Sequence, residues 1–144
     1  MKKLFGLLAV ILVFTLTGCG AANKTLTCTK DYNASGLQMH EDVKTTFKGD
    51  EVVKMVIAVD ATMSDSLAAY ADRIKDALST QYKKYSDNGA PVDIKVDGKE
   101  IHIVVTMDLE KMTASQRAAL NVSNIKGSVD DNKKDFEKAG YTCK

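Results

Sequence analysis

The hydrophobic pattern of the chain changes period after Asp60, and that change limits the fold more than any other feature. From Leu37 to Lys48 the residues alternate: Leu37, Met39, Val43 and Phe47 point one way, and Gln38, His40, Asp42, Lys44 and Lys48 the other. A period of two over that length predicts an antiparallel strand with one wet face. Glu41 and Thr45 interrupt the apolar side, which predicts that part of it sits at a sheet margin. Glu51 to Asp60 repeats the alternation, with Val53, Met55, Ile57 and Val59 inward. Leu67, Tyr70, Ala71, Ile74, Ala77, Leu78, Gln81, Tyr82 and Tyr85 then recur at spacings of three and four, as on one face of a helix. Thr62-Met63-Ser64-Asp65 reads as a capping-box-like start, with Gly89 and Pro91 as the stop. The spacing thus predicts one helix from about Met63 to Asn88.

The other segments are short. Thr25–Lys30 predicts a first strand with Leu26 and Cys28 on one face, and Asn33-Ala34-Ser35-Gly36 a turn. Val92–Val96 and Lys99–Met107 predict a hairpin around Asp97-Gly98, with Ile94 opposite Ile101 and Val92 opposite Ile103. Thr113-Ala114-Ser115-Gln116 starts a short helix that ends near Asn121. Ser128-Val129-Asp130-Asp131 starts another, with Phe136 and Ala139 inward, Gly140 as its stop and Tyr141-Thr142-Cys143 as a brief extended tail. The expected class is α+β: a mostly antiparallel sheet of about five strands, with one long helix packed on one face as the lid of the core and two short C-terminal helices.

The chain opens MKKLFGLLAVILVFTLTGCG. Lys2 and Lys3 form a positive n-region and Leu4–Phe14 an apolar h-region, shorter than the roughly 20 residues that cross a bilayer core. Leu16-Thr17-Gly18-Cys19 matches the bacterial lipobox, in which small side chains precede the cleaved bond and the Cys thiol carries a diacylglycerol. The expected organisation is a cleaved signal peptide over 1–18, a lipidated tether over 19–24 and a single domain over 25–144. Acyl chains such as palmitate contribute about 0.8 kcal/mol per buried CH₂, so two or more make a stable anchor. The alternatives are an ordinary signal peptide with Cys19 as a disulfide partner, or a short anchor that stays attached. Position two of the mature chain is Gly20 rather than Asp, so nothing argues for inner-membrane retention in a two-membrane cell.

Removing residues 1–18 takes away Lys2 and Lys3 and no acid, which leaves 18 basic against 19 acidic residues. That balance offers no basic footprint for nucleic acid and no polybasic patch for an anionic membrane. The absence of Trp argues against a platform of stacked indoles for carbohydrate. With Cys19 given to lipid, Cys28 and Cys143 remain as an even pair outside the cytosol and are expected to form a disulfide. The alternative is two free thiols, which a host with reduced surface proteins would favour.

A lipobox, Cys28 in a Cys-Thr first strand, Gly36-Leu37 at a strand start, a hydrophobic strand into Asp60, one long Ala- and Tyr-bearing helix and a Cys near the C-terminus together resemble the YehR-like bacterial lipoproteins. The resemblance spans nearly the whole mature chain. It implies a small α+β domain without an assigned activity and carries over no catalytic residue.

No constellation with chemistry-bearing spacing is present. His40 and His102, with Cys28 and Cys143, lack the spacing of a Cys₂His₂ site and read as surface histidines. Ser64 and Ser66 near Asp60 lack a G-x-S-x-G elbow and read as helix-start hydroxyls. Asp60, Asp65, Asp130 and Asp131 lie near helix starts, where acids favour the helix dipole. Tyr70, Tyr82 and Tyr85 read as core and core margin, and any ligand groove is expected along that helix edge. No cofactor or metal is expected. The chain reads as a non-enzymatic binding or interaction module held by the lipid on Cys19 at the outer face of a membrane, with an envelope protein or small ligand as partner. The alternative is an extracytoplasmic enzyme, which polar side chains converging in one apolar pocket would favour.

Overall fold

The computed structural model describes residues 23–123, 125 and 127–144, so the signal peptide and Cys19 lie outside the described residues. The elements are β1 (Lys24–Ala34), β2 (Leu37–Lys48), β3 (Glu51–Met63), α1 (Asp65–Ala68), α2 (Ala71–Asp87), β4 (Val92–Asp97), β5 (Glu100–Asp108), α3 (Ala114–Ala119), α4 (Val129–Lys138) and β6 (Thr142–Cys143). The class is α+β, and the strands form one sheet in the order β4-β5-β3-β2-β1-β6. Every neighbouring pair is antiparallel.

Six strands stand where about five were expected, because the C-terminal tail is β6. Cys143 pairs with Cys28 and Thr142 with Thr29, and the two cysteines are bonded with S–S 2.02 Å and Cα–Cα 4.1 Å. β1 runs past Lys30 to Ala34, which narrows the first turn to Ser35-Gly36; both adopt positive φ, 48° and 85°, as a tight hairpin demands. The β4–β5 hairpin turns on Gly98-Lys99, one residue later than expected, so Ile94 pairs with Ile103 and Val92 with Val105. A shift of two residues in pairing keeps every side chain on its face.

β2 lies between β1 and β3, not at a margin. Its inner face carries Leu37, Met39, Glu41, Val43, Thr45 and Phe47. A bulge at Thr46/Phe47 sets Phe47 opposite Val52 and Thr46 opposite Lys54. The extra residue reverses the phase, so Val52, not Val53, is the buried one.

The helices differ most from expectation. Met63 ends β3, its N–H bonded to the Lys99 carbonyl at 2.8 Å, and the expected single helix is two, α1 and α2, broken at Ala69-Tyr70. Tyr70 leaves helical geometry at φ −112° and ψ 19°. α1 is tied to the first hairpin through Ser64 N–H to the Gly36 carbonyl at 2.9 Å, so the chain must turn before α2 can lie down. α2 packs against edge strand β4 and contains no fully buried residue, so it is not the lid of the whole core. α4 packs against β1 and β6 at the opposite edge. The deepest side chains, Phe47 and Leu26, lie near one end of the sheet, in the same core cluster as Leu109, Met112 and Leu120 from the segment after β5. Leu109 N–H bonds the Val53 carbonyl at 2.9 Å and fastens that segment to the sheet. The helix starts at Thr113 and Ser128 are both full capping boxes, closed by Gln116 and Asp131.

Candidate functional site

α2 lies against one edge and α4 against the other, and the inner face between them is unevenly covered: Cys28, Val43 and Thr45 are buried, whereas part of β3 is not. β3 is an interior strand, and its inner residues should be the most enclosed in the sheet. Met55, Ile57 and Val59 are instead only partly buried, while Ile101, Ile103 and Val105 beside them on β5 are buried. Lys30 and Tyr32 on β1 and Met39 and Glu41 on β2 are likewise partly exposed. The register lines up Lys30, Glu41, Val59, Ile103 and Ile94 in one row across the sheet. Tyr32, Met39, Ala61, Ile101 and Val96 form the next row. The result is a partly covered strip of the inner face that is mainly aliphatic and includes the Glu41 carboxylate.

Aromatic side chains come from the elements at either edge. Tyr82 comes from α2, with Tyr85 behind it at 5.8 Å between ring centroids. Tyr141 comes from the link between α4 and β6, edge-on to Phe136 at 5.3 Å. Burial raises the Tyr32 hydroxyl above its ordinary pKa, and the adjacent Glu41 carboxylate raises it further. Burial, again followed by Glu41, pushes Tyr141 up to about 12. Tyr82 is raised chiefly by burial, with Tyr85, Tyr32 and Glu41 adding to it. Tyrosines from β1, α2 and the β6 link thus all feel the Glu41 charge. The Cys28–Cys143 bond holds the Tyr141 segment against β1 from the row next to Lys30 and Glu41.

The outer face of the sheet carries a second polar arrangement. Asp31, His40, Asp60, His102 and Lys95 stand in one row across five strands. His40 Nδ1 lies 2.6 Å from Asp31 Oδ1, and His102 Nδ1 lies 2.5 Å from Asp60 Oδ1. The hydrogen bond to Asp31 raises the His40 pKa above its usual value. A shallow depression of about 460 Å³ lies over Asp31, Gln38, His40, Asp60 and Thr62. Among the described residues, no group of three or more His, Cys, Asp or Glu side chains has the arrangement of a metal site.

Sequence reasoning placed the surface histidines on the wet face but did not pair them with Asp31 and Asp60. Asp60 belongs to β3 rather than to a helix start. Asp65 lies in the first turn of α1 and pairs with Lys99. Ser64 and Ser66 bond each other at 3.0 Å, and Ser64 caps no backbone N–H with its side chain. Tyr70 does not join Tyr82 at the core margin: it is 54% exposed, beside Arg73 at the α1–α2 break. Glu41, Tyr32 and Tyr141 were not singled out from the sequence. The available signal was Glu41 itself, a charge breaking an apolar alternation.

No protein-family model and no curated protein matches the chain. Solved structures do match. An NMR structure of a protein from Streptococcus pneumoniae TIGR4 superposes with TM-score 0.58 at 15% identity, covering 100% of this chain and 98% of that one. The NMR structure of the Escherichia coli YehR protein superposes with TM-score 0.57 at 17% identity, covering 84% of this chain and 91% of that one. The fold is similar to that of YehR. At these identities the likeness is one of fold alone.

Proposed function

We propose that the chain is a lipid-anchored extracytoplasmic binding module of the YehR-like lipoprotein kind, and that it takes its ligand on the partly covered inner face of the sheet. The observation that carries the binding reading is the partial exposure of Met55, Ile57 and Val59 on an interior strand. Leaving such a surface uncovered costs stability, about 25 cal/mol per Å² of apolar area, and a ligand recovers that cost on binding. The anchor reading rests on the n-region, h-region and Leu16-Thr17-Gly18-Cys19. Cell fractionation of Cys19→Ala tests it: the expected result is a released protein or an uncut precursor. A mutant processed and membrane-bound like the wild type would contradict it.

A second reading is an extracytoplasmic enzyme, favoured by the convergence of Glu41 with Tyr32 and Tyr141. Against it stands the chemistry: acid–base hydrolysis of the two-carboxylate kind needs a partner acid. The residues facing Glu41 across the strands, Lys30 and Val59, supply none.

A further inference from the structure

We infer that β4 is a dimerisation edge: two copies of this chain join their β4 strands antiparallel about Ile94, so that Asp93 faces the partner's Lys95 and the sheet continues across both copies. The edge itself comes first. β4 is the last strand of the sheet and pairs on one side, with β5. The Thr106 N–H bonds the Pro91 carbonyl at 3.0 Å, so the backbone groups of Asp93, Lys95 and Asp97 also turn toward β5. Those of Val92, Ile94 and Val96 turn outward, where no strand among the described residues meets them. Natural edges are commonly blunted by a bulge, an internal proline or a lone lysine. β4 pairs without a register shift, Pro91 stands before the strand, and Lys95 sits between two acids. At the far edge, by contrast, β6 interrupts β1 at Cys28 and Thr29 and is two residues long.

The side chains select both the partner and the register. On the outer face β4 carries acid, base and acid, at Asp93, Lys95 and Asp97. With Ile94 opposite the partner's Ile94, Asp93 stands opposite the partner's Lys95 and Lys95 opposite the partner's Asp93. Opposite charges at facing positions stabilise a sheet. Lys95 already bonds Asp93 of its own strand at 3.0 Å, so the four charges close into an alternating group. Shifts of two residues keep every side chain on its face. One such shift sets Lys95 against the partner's Lys95 and Asp93 against the partner's Asp97; the other sets Asp93 against the partner's Asp93. Larger shifts run each strand onto the other's turn or past its end. The outward backbone groups fit the same register, since Val92 then exchanges bonds with the partner's Val96. On the inner face Val92, Ile94 and Val96 are only partly buried. A depression of about 340 Å³ beside them, lined by Ser79, Tyr82, Ser86, Val92, Asp93 and Ile94, leaves room for the partner's Val96. An edge that pairs with itself closes on a twofold axis and stops at two copies.

The test is sedimentation equilibrium of the full-length protein in density-matched detergent. The expected result is a monomer–dimer equilibrium. Asp93→Lys and Lys95→Asp, both at exposed positions, should each weaken the dimer at least about tenfold, because each sets like charges face to face. Their melting temperatures should match the wild type at concentrations where it too is monomeric. The double reversal restores opposite charges in this register and should restore the dimer. An equimolar mixture of the two single variants should also associate about as tightly as the wild type, because every facing pair between them is again opposite. A protein that stays monomeric up to about 1 mM overturns the proposal. So does a dimer that either single variant leaves intact, or one that neither the double reversal nor the mixture restores. If a single variant fails to fold, the double reversal against the wild type still decides.

Discussion

Lys30 and Glu41 stand directly opposite each other on the inner face of neighbouring strands, yet the lysine is bonded to the end of α4 and not to the glutamate. The Ala139 carbonyl is one of the acceptors that a helix C-terminus leaves without a partner, and a cation there is favoured by the helix dipole. This arrangement predicts that Lys30 and Glu41 act independently. In a double-mutant cycle of Lys30→Met and Glu41→Gln, the coupling in unfolding free energy should lie within about 0.5 kcal/mol of zero. A larger favourable coupling would mean that the two pair in solution and that Glu41 is not free for a ligand.

Phe47 is fully buried, whereas Ile74 and Leu78 on α2 are only partly so. The cost of truncation should follow burial. Phe47→Ala is expected to lose about 3–5 kcal/mol, and Ile74→Ala less than the 2–5 kcal/mol typical of a fully buried Ile. Urea unfolding of both variants checks this. Equal losses would return α2 to the centre of the core.

Thr45 is fully buried and its hydroxyl has no hydrogen-bond partner among the described residues. An unsatisfied buried hydroxyl costs about 1–3 kcal/mol, so Thr45→Val, which keeps the shape, should be neutral or stabilising by about 1 kcal/mol. A clear fall in melting temperature would show that the hydroxyl is satisfied.

Two titrations follow from the tyrosine and histidine environments. The Tyr141 pKa, raised to about 12 by burial and Glu41, lies above its ordinary value of 10.0. Its contribution to stability is therefore present below pH 10.0 and lost as pH rises toward about 12. Ultraviolet difference titration should show phenolates that appear late, Tyr141 among them, and that appear earlier in Glu41→Gln. His40, raised above 6.5 by its bond to Asp31, should return to the ordinary range in Asp31→Asn, as followed by NMR. Its stabilising effect is present at low pH and fades as pH rises through the raised value.

What periodicity can report, the sequence reported well: the alternation in β2, the helix signal through Leu78 and Tyr82, and the capping boxes at Thr113 and Ser128. These are local signals, set by which neighbours a residue meets within one turn or one strand pair. Two features escaped it for a common reason, that they depend on which strands become neighbours. His40 and His102 acquire Asp31 and Asp60 only through the order β5-β3-β2-β1. Glu41 and Thr45 suggested a sheet margin because a charge inside an interior strand is costly unless that face is open. It is open at Glu41, whereas Thr45 is enclosed and unsatisfied. The break at Tyr70 was invisible because the stripe keeps its spacing straight through it.

Ile57 and Val59 are only partly buried although β3 is an interior strand, and the binding reading requires that solvent reaches them. The most direct measurement is the broadening of methyl resonances by a soluble paramagnetic probe. Ile57 and Val59 are expected to broaden to an extent comparable with Val104 on the outer face, and far more than Ile103 and Val105 beside them on β5. Protection of Ile57 and Val59 equal to that of Ile103 would show a closed core and contradict the account.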